Sequence, residues 1–86
     1  MNVLIGDIGN TNTKICLVEL KTSKIKKLIH FNSSNIYSKS FLKKTLKKII
    51  KNNTISKTAL FSCVVPKYQS ILEKFIKKFY KIKLRE

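Results

Sequence analysis

Eight consecutive residues, Asp7-Ile8-Gly9-Asn10-Thr11-Asn12-Thr13-Lys14, hold most of what could do chemistry in this 86-residue chain. A carboxylate closing a short apolar run, Val3-Leu4-Ile5, is followed two residues later by glycine, so the chain turns tightly just beyond an acid. Gly9 can adopt positive φ, and its missing side chain lets main-chain N–H groups approach a ligand. Successive N–H groups in such a turn form a concave anion site, and Asn10, Thr11, Asn12 and Thr13 can add side-chain donors. An acid beside a phosphate needs a divalent cation between them, and Mg2+ held by one carboxylate, water and phosphate oxygens meets that need. Asp7 is therefore the candidate metal ligand, and Lys14 adds a point charge if strand alternation turns it the same way. The same letters also spell an ordinary hairpin turn with Asp7 as its capping acid, and the loop alone leaves both readings open. It is not a Walker A loop, which needs Gly-Lys-Ser/Thr opening a helix, nor a dinucleotide fingerprint, which needs further glycines.

The elements that must position this loop follow from hydrophobic periodicity. Asn2 to Asp7 and Thr13 to Leu20 read as two strands joined by the Gly9-Asn10 turn, with Ile15, Leu17 and Glu19 on one face of the second and Cys16, Val18 and Leu20 on the other. After a polar turn at Lys21-Thr22-Ser23-Lys24, a third strand runs from Ile25 to Phe31, giving three antiparallel strands. The cluster Asn32-Ser33-Ser34-Asn35 then offers helix caps, and Tyr37 to Lys51 is predicted helical. Tyr37, Phe41, Leu42, Leu46, Ile49 and Ile50 share one side of it, with six lysines on the other. Asn52 and Asn53 end that helix. The nearly unbroken apolar run from Thr58 to Val64 predicts a strand buried on both faces. Pro66 suits the first turn of a second helix, Pro66 to Phe79, whose stripe is Tyr68, Ile71, Leu72, Phe75, Ile76 and Phe79. Tyr80 to Arg85 begins to alternate like one more strand. The predicted order is β-β-β-α-β-α-β, an α/β arrangement in one domain with its last strand cut near its start.

Composition narrows the classes. Leu, Ile, Val and Phe together supply 30 of 86 residues, well above the roughly 20% expected of a charged disordered chain. No uncharged apolar run nears the ~18 residues that cross a bilayer. Val3-Leu4-Ile5 has no basic segment before it and meets Asp7 at once, unlike a secretory leader. The net charge of +15 would ordinarily point to a polyanion. However, 18 of the 19 basic residues are lysine, whereas specific nucleic-acid sites favour the arginine fork. Lys, Ile and Asn make up 37 residues, so a general bias in residue usage accounts for the charge, with lysine filling the solvated faces. A basic nucleic-acid-binding module is the competing reading, and a helix lying on an anionic membrane a lesser one. Cys16 and Cys63 are too few and too isolated for a disulfide framework or zinc site and read as small buried hydrophobes. His30 reads as a surface or edge residue.

Two segments together resemble a known family. Val3-Leu4-Ile5-Gly6-Asp7-Ile8-Gly9-Asn10-Thr11-Asn12-Thr13-Lys14 is similar to the opening strand and phosphate loop of the type III pantothenate kinases, members of the acetate and sugar kinase, Hsp70 and actin superfamily. Phe61-Ser62-Cys63-Val64-Val65-Pro66 resembles that family's Ser-Ser-Val-Val-Pro segment, and it stands where expected, after three strands and a helix. Gly6 departs from the larger apolar residue common before this aspartate, which would loosen the packing of the strand. The resemblance spans essentially all 86 residues but only the opening portion of the family pattern.

That resemblance implies a ribonuclease H-like, actin-like ATPase domain of which residues 1–86 form the N-terminal part. It implies a cytoplasmic homodimeric enzyme transferring the γ-phosphoryl group of ATP to pantothenate, the first step of coenzyme A synthesis, with Mg2+ and a monovalent cation (K+ or NH4+). The ATP-binding residues would be Asp7, Ile8, Gly9, Asn10, Thr11, Asn12, Thr13 and Lys14, with Asp7 also linked to the metal. No membrane partner is implied. The attacking hydroxyl needs a base, and the family's base lies in a Gly-x-Asp-Arg motif that has no counterpart among Asp7, Glu19, Glu73 and Glu86. No catalytic residue is therefore assigned within this chain, and the base is expected beyond Glu86. The chain reads as the opening part of a truncated or split kinase. The alternative is a non-catalytic nucleotide-binding remnant.

Overall fold

The structure is a computed structural model describing residues 1–51 and 53–85; the expectations placed on Asn52 and Glu86 lie outside the described residues. Its elements run in the order β1 (Asn2–Ile8), β2 (Asn12–Glu19), β3 (Lys24–Asn32), α1 (Lys39–Ile50), β4 (Thr58–Cys63), α2 (Pro66–Tyr80) and β5 (Lys83–Arg85). One mixed five-stranded sheet has the order β3-β2-β1-β4-β5. The three N-terminal strands are antiparallel neighbours, as their short turns require, whereas β4 lies parallel to β1 and β5 parallel to β4. Each parallel step is made through a helix, because parallel neighbours need a long crossover.

Both helices pack on one face of this sheet, and that choice settles the burial of every strand. Leu4 and Ile8 of β1, Ile15 and Leu17 of β2, Phe31 of β3, Ala59 and Phe61 of β4 and Leu84 of β5 form the sheet side of the core. Leu42, Leu46 and Ile49 of α1 and Leu72, Phe75 and Ile76 of α2 form the helix side. The opposite face carries no helix from the described residues. That overturns the reading of β4 as buried on both faces: Leu60 is 45% exposed, Ser62 is exposed, and Val64, just past the strand, is 70% exposed.

Three boundaries differ from the sequence reading. Tyr37 does not start the first helix but ends a 3-10 turn over Ser33–Tyr37, which Asn32 caps by accepting from the Ser34 N–H. Ser38 caps α1 instead, its hydroxyl accepting from the Phe41 N–H. Tyr37 consequently stands 52% exposed, with its ring edge-on to Tyr68 at 5.5 Å between centroids. At the far end, Tyr80 closes α2 and is not part of a strand. Lys81 takes the left-handed conformation at φ 58° to cap the helix, so β5 starts only at Lys83. Ile82 between them is buried.

Gly6 does not loosen β1. Gly6 sits beside Phe61 in the parallel β1–β4 register, and a Cβ there would fall 2.1 Å from the Phe61 ring. The missing side chain is the space that the ring occupies, and Phe61 is accordingly buried.

Candidate functional site

β1 is the strand at which the sheet's connectivity reverses: the chain leaves it toward β2 and β3, then returns through α1 to pair with its other edge. In open α/β sheets the crevice beyond the carboxyl ends of strands at such a point is where ligands bind. Here the carboxyl ends of β1 and β4 lie side by side, tied by the Val64 N–H donating to the Ile8 carbonyl at 3.1 Å. Asp7 is one residue from the end of β1, on the face that the helices leave open.

The strand registers assemble a polar row on that face. Asp7 pairs with Lys14 of β2, Lys14 with His30 of β3, and Asp7 on its other side with Ser62 of β4. All four are exposed. Side chains at directly paired positions share a face, with Cβ atoms ~5 Å apart. One carboxylate is thus flanked by an ammonium on one side and a hydroxyl on the other. Strand alternation does turn Lys14 the same way as Asp7.

The turn beyond Asp7 is braced from beneath. The Gly9 N–H donates to the Asn12 carbonyl at 2.9 Å, closing the hairpin. Ser33, fully buried at the start of the 3-10 turn, holds the rest. Its hydroxyl donates to the Gly9 carbonyl at 2.7 Å and lies 2.7 Å from the Thr13 hydroxyl, and its N–H donates to the Thr11 carbonyl at 2.8 Å. With those carbonyls turned inward, neither the Asn10 nor the Thr11 N–H, among the described residues, donates a hydrogen bond within the chain. Two unpaired main-chain donors at an exposed tip are what an anion-binding turn offers.

Three of the site expectations change. Gly9 does not use positive φ, since no glycine of the described chain has it; it is needed because a Cβ would fall 2.8 Å from the Asn12 carbonyl oxygen. Ile8 is wholly buried, so only its backbone belongs to the site. Thr13 is wholly buried too, and its hydroxyl is engaged by Ser33, so it is no donor to a ligand. Asp7, Asn10, Thr11, Asn12 and Lys14 remain exposed around the turn.

Sequence reasoning missed two residues. Ser62 was legible only as part of the second segment, and the parallel register gives it a place beside Asp7. Ser33 read as a helix-capping residue and is the brace of the loop. Cys63 also differs from a plain apolar filler. Its thiol donates to the Val65 carbonyl at 3.0 Å and its sulfur accepts from the Val65 N–H at 3.3 Å, shaping the turn into α2. Pro66 opens α2 as expected.

No further acid converges on this site among the described residues. Glu19 lies at the far end of β2, where its carboxylate accepts from the Thr22 hydroxyl and the Lys21 N–H; these hold it below the usual carboxylate range. Glu73 is exposed on α2. No group of three or more His, Cys, Asp or Glu residues could hold a metal ion among the described residues. A cation at Asp7 would need the remaining ligands from water or a bound anion, which suits Mg2+ better than a metal needing a full protein cage.

Fold and site together define a mixed α/β domain with an exposed acid and a braced turn at the carboxyl end of its central strand. The sequence profile of the family described as type III pantothenate kinase matches residues 3–86, and the chain belongs to that family. A type III pantothenate kinase from Pelagibacter ubique (strain HTCC1062) is 45% identical over 84 residues, 98% of this chain and 33% of that relative. The chain thus spans about a third of the length of the curated relative it matches.

Proposed function

We propose that this chain supplies the nucleotide-phosphate grip of an ATP:pantothenate phosphotransferase acting in the cytoplasm, in a domain of the ribonuclease H-like, actin-like type. The observation that carries this reading is the exposed Asp7 carboxylate standing between Lys14 and Ser62, immediately before a turn with two unpaired N–H groups. The Asn10 and Thr11 N–H groups bind the terminal phosphate oxygens of ATP, and the Asn12 side chain adds to the rim of that cradle. Asp7 holds Mg2+ through its carboxylate. Lys14 offsets phosphate charge as a point cation, and Ser62 donates or accepts at the same rim. When bound, the metal neutralises charge on the phosphates, which is the main demand of phosphoryl transfer. A monovalent cation, K+ or NH4+, belongs to the family's requirement.

The base that takes the proton from the pantothenate hydroxyl is not among these residues: Glu19 and Glu73 stand away from the row that holds Asp7. The chain by itself therefore binds nucleotide without transferring the phosphoryl group. Isothermal titration of MgATP into the chain should give a saturable, Mg2+-dependent heat that Asp7→Asn abolishes with the far-UV spectrum unchanged, because Asp7 is exposed and its loss costs the core nothing. Heat that is the same without Mg2+, or the same in Asp7→Asn, would overturn the assignment. Phosphopantothenate formed by the purified chain alone would overturn the missing-base argument.

A further inference from the structure

A groove of about 230 Å3 opens between α1 and α2, and every residue lining it comes from those two helices. The helical repeat builds it: Ile71, Phe75 and Phe79 recur every fourth residue on one side of α2, with Lys74 and Lys78 flanking them. Leu42 and Phe75, both buried, and the half-buried Ile71 supply an apolar floor, and Phe79, 43% exposed, lines the mouth. The polar lining is lysine alone, Lys39 from α1 and Lys74 and Lys78 from α2. Lys43 adds a further ammonium at the Phe79 end, where its Nζ and that of Lys78 each lie 5.7 Å from the centroid of the ring. Glu73 is the single acid on either helix, and it is not among the lining residues.

Size and charge narrow what fills it. Lysine stems lie along apolar surface while their ammonium groups stay in water, so the groove is apolar within and positive at its mouth. An apolar cavity of about 150 Å3 takes one benzene, so this groove has room for a single alkyl chain of roughly eight carbons. It does not have room for the row of side chains by which an amphipathic helix seats itself. A second copy of the +15 chain would bring ammonium against ammonium. A nucleic acid would pair with the lysines and leave the apolar floor empty. A neutral chain would leave the lysines unused, whereas a chain ending in a carboxylate uses both parts.

We infer that this α1–α2 groove binds a single-chain anionic amphiphile, a medium-length alkyl carboxylate. Its chain lies against Leu42, Ile71 and Phe75, and its carboxylate sits among the ammonium groups of Lys39, Lys74 and Lys78. Burial of the chain supplies the affinity and the lysines select the head group, because exposed ion pairs are individually weak. The groove belongs to the helix layer, across the sheet from the face that holds Asp7, and its occupancy does not depend on nucleotide binding there.

The test titrates the full chain with hexanoate, octanoate, decanoate and dodecanoate, read by methyl and aromatic NMR shifts. Octanol and acetate probe the chain alone and the charge alone. Octanoate should saturate and shift the Leu42, Ile71, Phe75 and Phe79 signals before any others, and acetate should shift none. Affinity should rise about threefold per added methylene up to octanoate and then level off. Octanol should bind about tenfold more weakly than octanoate. Lys74→Glu combined with Lys78→Glu, both at exposed positions, should weaken octanoate about tenfold and leave octanol unchanged. Ile71→Trp, which fills the groove, should abolish both; if its far-UV spectrum shows misfolding, the lysine variant decides. Equal affinity for octanol and octanoate, octanoate binding indifferent to the lysine substitutions, or shifts scattered over the whole surface would each overturn the inference. So would affinity that climbs steadily through dodecanoate. Binding to phosphatidylglycerol vesicles without any octanoate shift would also overturn it, marking the helix layer as a membrane-docking face instead.

Discussion

Ser33→Ala removes one oxygen atom and leaves two polar groups under the loop without their partner, the Gly9 carbonyl and the buried Thr13 hydroxyl. Unpaired buried polar groups cost ~1–3 kcal/mol each way they are created. We expect Ser33→Ala to lower the urea midpoint by an amount equivalent to about 1–3 kcal/mol at unchanged m value, and to weaken MgATP binding because the Asn10 and Thr11 N–H groups lose their fixed aim. Faster amide exchange at Gly9 and at the Ser33 position, whose N–H groups are hydrogen-bonded across this loop, than elsewhere in the variant would tie the affinity loss to the loop; a uniform rise would refute the bracing role. Asp7→Asn is the contrasting case, losing Mg2+-dependent binding at no cost in stability. The acid, the glycine and the exposed donors were legible in the string Asp7 to Lys14. Thr13 was misread as a donor to a ligand, although the alternation that puts Ile15 and Leu17 in the core puts Thr13 there too. Ser33 was not legible. Counting back from a turn at Lys21–Lys24 pairs Asn12 with Ser33, whereas the hairpin closes more tightly, with Glu19 opposite Lys24, and a register shift next to Leu17 and Val18 then leaves Asn12 opposite Asn32. A one-residue slip exchanges the two faces of a strand, so the placement of Ser33 depended on an irregularity that no local residue type announces.

At the level of elements, the helices and strands were readable because their apolar periods differ, but which faces were covered was not. The Thr58–Val64 run looks the same whether one or both of its faces are sealed; only the packing of both helices on one side decides it. Gly6 shows the same dependence on a distant partner, since its fitness is set by Phe61 across the β1–β4 register. Gly6→Ala should cost about 1–3 kcal/mol through overpacking against a buried ring, and Phe61→Leu should cost about 1–2 kcal/mol through lost packing. Together they should cost clearly less than their sum, because each relieves the other. Urea midpoints of the four proteins give the coupling; simple additivity would show that the ring and the glycine do not share the space. The junction of α2 and β5 gives a test of opposite sign. Lys81 holds φ 58° as the helix cap, a conformation that costs a non-glycine residue about 1 kcal/mol. Lys81→Gly should therefore raise stability by up to about 1 kcal/mol, and a lowered midpoint would mean that the lysine side chain contributes more than its backbone costs.

For the molecule as a whole, the decisive quantity is 19 basic residues against four acidic ones within extents of 32 × 21 × 19 Å. The lysines are spread over both helices and the sheet edges, with Lys39, Lys43, Lys44, Lys47 and Lys48 on α1 and Lys67, Lys74, Lys77 and Lys78 on α2. Folding gathers charges that an unfolded chain keeps far apart, so self-repulsion acts against the compact state. At ~0.1 M salt the screening length is about 10 Å, shorter than every dimension of the molecule. Most pairwise repulsion is therefore removed between very low and moderate ionic strength, while the core, being apolar, is unaffected over that range. The melting temperature should rise steeply as NaCl goes from a few millimolar to ~0.15 M and then level off. A charge-neutralised variant, with Lys43, Lys47 and Lys77 changed to Gln, should start higher and respond less. All three positions are exposed helix sites, and Gln keeps nearly the helix propensity of Lys. A flat salt profile in the parent chain would mean that its lysines are too well solvated to repel. A melting temperature that falls with added salt would mean that attractive pairs outweigh repulsion, and that the excess of lysine has a structural role of its own.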